Sequence, residues 1–228
     1  LGGTFAFNAP VEVSDGGMFT VGGDGKMRMP IKAYANSKLI INGGEFTSVM
    51  VYIDGDAEIG GGVIDALTII GNAKAKISGG KFYNIEIANG SLESVLADGY
   101  AYKKNGGSWL SIAERAEKEY NSSDNDGRPV NVEEAPIKSA SISWAGGEAP
   151  VIYRNGAKKL KVNVTCDVAD TSKRITYSDY VNGNNRSKDS KLSVNWYMVF
   201  GYKIGEIVAE DGEVEYYTVL KCDGYEYK

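Results

Sequence analysis

An all-β fold is predicted, a right-handed parallel β-solenoid of 18-residue coils followed by a second β-rich domain, and three observations predict it. Residues 37–90 divide without gaps into three 18-residue units, SKLIINGGEFTSVMVYID, GDAEIGGGVIDALTIIGN and AKAKISGGKFYNIEIANG. Apolar residues recur at five offsets: Leu39/Ala57/Ala75, Ile41/Ile59/Ile77, Phe46/Ile64/Phe82, Val49/Leu67/Ile85 and Val51/Ile69/Ile87. From about residue 129, Gly/Asn/Asp/Ser clusters separate short apolar runs of strand length.

Self-similarity at a fixed spacing marks stacked units that cannot bury their own apolar side. Within a unit, Val49-x-Val51 and Ile85-x-Ile87 alternate with the period of a strand. Gly43-Gly44, Gly61-Gly62 and Gly79-Gly80 interrupt that alternation at one place per unit. Glycine reaches positive φ without steric cost, which suits a corner. Asp54-Gly55, Gly71-Asn72 and Asn89-Gly90 then close each unit with turn formers. Like residues should therefore stack about 4.8 Å apart, one coil above another. An antiparallel meander demands neither equal spacing nor same-type columns. Left-handed hexapeptide helices need a six-residue apolar beat that these units lack.

The chain has 228 residues, 25 Lys+Arg against 30 Asp+Glu, a net charge of −5 and no histidine. Without a basic stripe, nucleic acid is not an expected partner. No stretch approaches the roughly 20 apolar residues of a membrane span, and no charged n-region with an h-region opens the sequence. Leu1-Gly2-Gly3-Thr4-Phe5 matches the middle of a unit instead, so the expectation is a piece of a longer protein whose N-terminal end stacks on further coils.

Gly16-Gly17-Met18-Phe19 repeats the corner of Gly2-Gly3-Thr4-Phe5 after 14 residues, and Gly43 follows after 27 more. Counted against 18, that coil carries about nine extra residues, placed within 21–36. Insertions in solenoids become loops on one face. Lys26, Arg28, Lys32 and Tyr34 are candidates for a basic-aromatic contact patch there, and the outward Tyr52 and Tyr83 extend the candidate binding set.

After Gly90 the periodicity stops. Ser91–Ala97 suits one helical turn capped by Ser91, and Tyr100–Trp109 suits a hairpin around Asn105-Gly106-Gly107. Leu92, Val95, Leu96, Tyr100 and Trp109 would cover the open end of the solenoid. The GG-x-F corners followed by SLESVLADGYAYKKNGGSWL resemble the end of β-helix repeat regions in large surface proteins of Gram-positive, largely gut-dwelling bacteria. That resemblance covers roughly residues 1–110, and it implies a secreted or wall-attached, extracellular location. It carries no catalytic residue across. Residues 110–120 predict a short helix capped by Ser111 with Ile112, Ala113 and Ala116 inward, and 121–129 a polar linker. Asp124-Asn125-Asp126-Gly127 is only a fragment of a calcium loop, lacking the distal Glu. The domains expected are thus 1–110, a helix and linker at 111–128, and 129–228.

In the second domain, strands are expected at 137–144, 159–168, 192–200, 203–209 and 214–222. Trp196 resembles the core tryptophan of immunoglobulin-like domains, and Asp223–Tyr227 the approach to their tyrosine corner. The resemblance implies an Ig-like β-sandwich. It is either truncated before its last strands or closed by a two-residue Asp-Gly hairpin at 221–227. A truncated sandwich would offer an edge to a partner's strand. Cys166 and Cys222 are its two cysteines, with bonded and reduced states both open.

The absence of histidine removes Ser-His and Cys-His nucleophile systems, and there is no CxxC, so neither a zinc site of the usual kind nor a cofactor is expected. Paired carboxylates remain, since glycosidases need two about 5–10 Å apart. Asp54, Asp56, Glu58 and Asp65 fall near one turn, while Glu45 and Lys81 take equivalent outward positions two coils apart. Solenoid charges more often form a solvated face. The expectation is a non-catalytic adhesin, binding or spacer module that presents surfaces to a host protein or glycan. A polysaccharide lyase or glycosidase is the alternative.

Overall fold

The computed structural model describes residues 4–5, 9–71, 73–144, 151–152, 158–181, 184–185, 202–209, 212–213 and 216–228. The chain divides into two compact units, Leu1–Glu134 and Ala135–Lys228. The first is a parallel β-solenoid of about 4 turns. Its early coils are made of β1 (Thr4–Phe5), β2 (Val11–Val13), β3 (Met18–Val21), β4 (Lys26–Met27) and β5 (Ile31–Ala33). Three long bent strands follow, β6 (Lys38–Ile53), β7 (Asp56–Ile69) and β8 (Ala75–Ile87).

Each long strand contributes to three faces. The first face stacks β3 on 38–41, 57–59 and 75–77. The second stacks β1, β4, 45–46, 63–64 and 81–82. The third stacks β2, β5, 51–53, 67–69 and 85–87. Phe46, Ile64 and Phe82 are in register on successive coils and fully buried, as are Ile41, Ile59 and Ile77. The glycine pairs turn the chain between the first and second faces, with Gly44, Gly62 and Gly80 at φ of 94°, 97° and 106°.

The third-face columns differ from the expected ones by two residues. Val51 pairs with Leu67 and Ile85, and Ile53 with Ile69 and Ile87. Val49, placed in the core by simple counting, is only half-buried. Between Phe46 and Met50 the lower coil holds three residues where the coil above, between Ile64 and Ala66, holds one. The excess is a bulge at 47–49, with Ser48 at φ 57°. The same coil returns the two residues at its next corner. Three residues (54–56) join Ile53 to Ala57, against five (70–74) joining Ile69 to Ala75. The count of 18 survives because the insertion and the deletion cancel.

The expected nine-residue insertion at 21–36 is absent. Strands β4 and β5 lie in that stretch, and the pairings Val11↔Ile31 and Ile31↔Val51 each advance 20 residues. Gly16-Gly17 belongs to a different corner from Gly43-Gly44. Lys38 N–H donates to Gly17 O, so Gly17 lies beneath Ser37 and Lys38, whereas a Cβ on Gly43 would lie 2.6 Å from Gly23 O. Equating the two corners created the false insertion.

The upper end of the solenoid is closed by strands running the other way. A 3-10 turn (Glu93–Val95) leads to an isolated parallel bridge from Ile77 to Leu96. Ser91 does not cap that turn from its side chain; Ser94 Oγ bridges back to Ser91 N and O instead. Beyond β9 (Tyr100–Lys104), helix α1 (Ile112–Ala116) and β10 (Glu119–Asn121) comes β11 (Val130–Glu134). Strand β10 pairs antiparallel with 84–86, and β11 with 81–82 and with β9. All three faces of β8 are thereby covered, which removes the unpaired edges that invite aggregation. Residues 111–134 are therefore part of the cap, where the sequence suggested a helix and linker at 111–128 and the start of the second domain at 129. Helix α1 has the expected Ser111 cap, in a capping box with Glu114, but it buries Arg115 while Ala113 and Ala116 face solvent. Arg115 Nη1 donates to Leu110 O at 2.8 Å, and its Nε lies 3.4 Å from Glu93 Oε1.

The second unit is described in antiparallel strands: β12 (Ile137–Trp144), β13 (Val151–Ile152), β14 (Lys158–Val168), β15 (Ile175–Val181), β16 (Asn184–Asn185), β17 (Tyr202–Ala209), β18 (Gly212–Glu213), β19 (Tyr216–Cys222) and β20 (Tyr225–Tyr227). Their orders are β12-β14-β17, β16-β15-β19-β20 and β13-β18. Strand β15 was not foreseen, while 192–200 with Trp196 lies outside the described residues. Asp223 and Gly224 at φ 51° and 76° form the two-residue hairpin between β19 and β20. No disulfide joins Cys166 and Cys222. Burial pushes both thiols above their ordinary pKa; Cys222 and then Asp167 add to the rise at Cys166, and Asp223 adds to it at Cys222.

Candidate functional site

Alternation along a strand sends every second side chain of the third face outward. One outward file runs Glu12, Lys32, Tyr52, Thr68, Glu86 over successive coils. Tyr34 follows β5 directly, and its hydroxyl donates to Glu12 Oε1 at 3.2 Å. Partial burial raises the Tyr34 pKa, and the Glu12 carboxylate raises it further. Tyr34 and Tyr52 are diagonal neighbours, one coil and one outward position apart. Met50 precedes Tyr52 on the same side. Tyr34 at 36% and Met50 at 49% are two of the three exposed large hydrophobic residues among those described, Met18 at 68% being the third. Lys32, Tyr34 and Tyr52 thus come together, joined by Met50, which sequence reasoning passed over.

Lys26 and Arg28 lie elsewhere, beside the bulge. With Met27, Glu45, Thr47, Ser48 and Val49 they line a surface groove of about 340 Å³. Lys26 Nζ is 3.1 Å from Glu45 Oε2, and Thr47 Oγ1 donates to Glu45 Oε1 at 2.8 Å. The Thr47 hydroxyl, then Lys26, hold the Glu45 carboxyl below the usual carboxylate range. Ser48 N–H donates to Asp65 Oδ2 at 2.6 Å, which fixes the bulge to the coil above. Arg28 is exposed and forms no hydrogen bond or ion pair among the described residues, but its charge adds to the attraction that holds the Glu45 carboxyl down. Tyr83 stands apart from both groups, beneath Lys81 Nζ at 5.9 Å from its ring centre. One signal for the bulge was legible in principle. Val49-x-Val51-x-Ile53 offers three alternating apolar residues where the next unit offers only Leu67-x-Ile69.

The shortened corner at 54–56 leaves a second groove of about 580 Å³, bordered by Met18, Asn36, Lys38, Asp54, Asp56 and Lys74. Lys38 Nζ pairs with Glu58 Oε1 at 2.6 Å. The four carboxylates considered together from sequence are split by the fold. Asp65 sits at the bulge corner, on the far side of the third face from Asp54 and Asp56, and Glu58 is neutralised by Lys38. Among the described residues no group of three or more His, Cys, Asp or Glu is arranged to hold a metal ion, and no helix is long and apolar enough to cross a membrane.

Fold and surface together define a capped parallel β-solenoid with an aromatic sheet face and two corner grooves. No protein-family model, no curated protein and no solved structure matches the chain.

Proposed function

We propose that the chain is a non-catalytic binding or spacer module of a secreted or wall-attached bacterial surface protein, engaging a host protein or glycan through the third face of its solenoid. The observation that carries the reading is the cluster of Tyr34, Met50 and Tyr52 beside Lys32 on one rigid parallel sheet. Flat aromatic rings with a polar tip suit sugar faces and protein anchors alike. The extracellular setting rests on the resemblance of residues 1–110 to surface-protein repeats. A right-handed coil is kept because parallel crossovers overwhelmingly take that hand. The antiparallel strands described in the second unit suit an immunoglobulin-like module, and β1–β3 offer lower edges on which further coils would stack. Splitting of the acidic residues between two corners favours binding over glycoside chemistry. A glycan array and a host-protein pull-down test this. Tyr34→Ala with Tyr52→Ala should abolish the signal, and turnover of any polysaccharide by the intact chain would overturn the reading.

A further inference from the structure

We infer that the groove at the 47–49 bulge is a subsite for an acidic saccharide, with Arg28 taking the sugar carboxylate. The inference rests on the binding-module reading and names a ligand class for a second surface of it. Charge comes first. Lys26 and Glu45 neutralise each other across 3.1 Å, and Glu45 spends its other oxygen on Thr47. Glu45 also feels Arg28, so the groove holds two cations against one carboxylate, and Arg28, exposed and in no hydrogen bond or ion pair among the described residues, is the cation left open to a ligand. A guanidinium offers a planar fork of donors that fits a carboxylate through two parallel hydrogen bonds.

The remaining lining decides what carries that carboxylate. Ser48 and Thr47 supply hydroxyls, Lys26 an ammonium and Glu45 a carboxylate, so the lining holds both donors and acceptors, as the hydroxyls of a sugar require. Val49, kept half-exposed by the two-residue bulge, gives an apolar wall for the ring's C–H face. At about 340 Å³ the groove falls at the small end of the roughly 300–1,000 Å³ of small-molecule sites. A protein footprint of about 800 Å² per partner is far larger. Asp65, the other carboxylate near the bulge, does not line the groove and has one oxygen committed to Ser48 N–H. The bulge is thus fixed before any ligand arrives.

The test is an amide-shift NMR titration of the full chain with glucuronic acid, N-acetylneuraminic acid, glucose, inorganic sulfate and a poly-glutamate peptide. Both acidic sugars should shift Arg28, Ser48 and Val49, with glucose much weaker. Arg28→Ala should weaken them at least about tenfold, and Arg28→Lys should restore only part, because an ammonium lacks the fork. Arg28 is exposed and forms no hydrogen bond or ion pair among the described residues, so both variants should change the melting temperature little. Sulfate or poly-glutamate binding as well as the acidic sugars would overturn the saccharide assignment, as would an unchanged affinity in Arg28→Ala. Loss of array binding in Tyr52→Ala, with acidic sugars silent at Arg28, would leave the module reading standing and sink this one alone.

Discussion

Gly79 faces Gly60 on the coil below, and a Cβ added there would sit inside the radius of Gly60's carbonyl oxygen. Backbone cannot move aside without breaking the stack, so Gly79→Ala should cost on the order of 2–3 kcal/mol in urea unfolding. Gly22 has nothing within 4 Å of its would-be Cβ, and Gly22→Ala should leave the midpoint unchanged. Equal effects at the two positions would contradict the stacked-corner account. A second residue-scale test concerns Glu114. Burial opposes its ionised form, but hydrogen bonds from Lys104, the Ser111 N–H and the Ser111 hydroxyl outweigh this and lower its pKa. With the folded value depressed, its contribution is complete above the unfolded pKa of about 4.3 and is lost as pH falls through the folded value. Ser111→Ala should cost about 1 kcal/mol at neutral pH, as loss of a cap does. In Glu114→Gln, the pH dependence of stability below about 4.3 should flatten.

At the scale of elements, β6, β7 and β8 stake the fold on columns of buried side chains. Phe46→Ala and Phe82→Ala should each cost about 3–5 kcal/mol, since aromatic truncation leaves a cavity between coils that cannot collapse. The two-residue shift makes a sharper test. Ile53 is fully buried under Ile69, whereas Val49 is half-buried at the groove. Ile53→Ala should therefore destabilise by about 2–5 kcal/mol and Val49→Ala by much less. Simple counting from the sequence gives the opposite order, with Val49 in the core and Ile53 outside it. The first-face columns and the Phe46 column were legible because strand alternation and glycine corners both mark them. The third-face columns were not, because an insertion at 47–49 and a deletion at 54–56 cancel within one unit. The groove that carries Arg28 is the product of that cancelled pair, so it was invisible for the same reason. The aromatic face was half legible: Lys32, Tyr34 and Tyr52 announce themselves by residue type, but only the register sets Lys32 beside Tyr52 and brings Met50 to them.

At the scale of the molecule, the solenoid's core runs from Val13 to Val132 as one contiguous cluster. The described elements that pair with β8 at the upper end lie before residue 135. Leu96 bridges the first face of β8, β11 pairs the second and β10 the third. A fragment of residues 1–134 should consequently fold alone, unfold in one cooperative step and stay monomeric at its upper end. A fragment of residues 1–110, the boundary that composition suggests, lacks β10 and β11 but keeps Leu92, Val95 and Leu96. It also loses α1, whose Arg115 side chain is buried against Leu110 O and Glu93. Two faces of β8 would then present unpaired N–H and C=O groups above an apolar cross-section, and parallel strands so exposed recruit other chains. Light scattering and circular dichroism on the two fragments decide it. The longer one should show the sheet signal with a sharp melt, and the shorter should aggregate or melt broadly. Equal stability of the two would mean that β10 and β11 rest on β8 without closing it. The cap would then have to be sought in residues 92–96 alone.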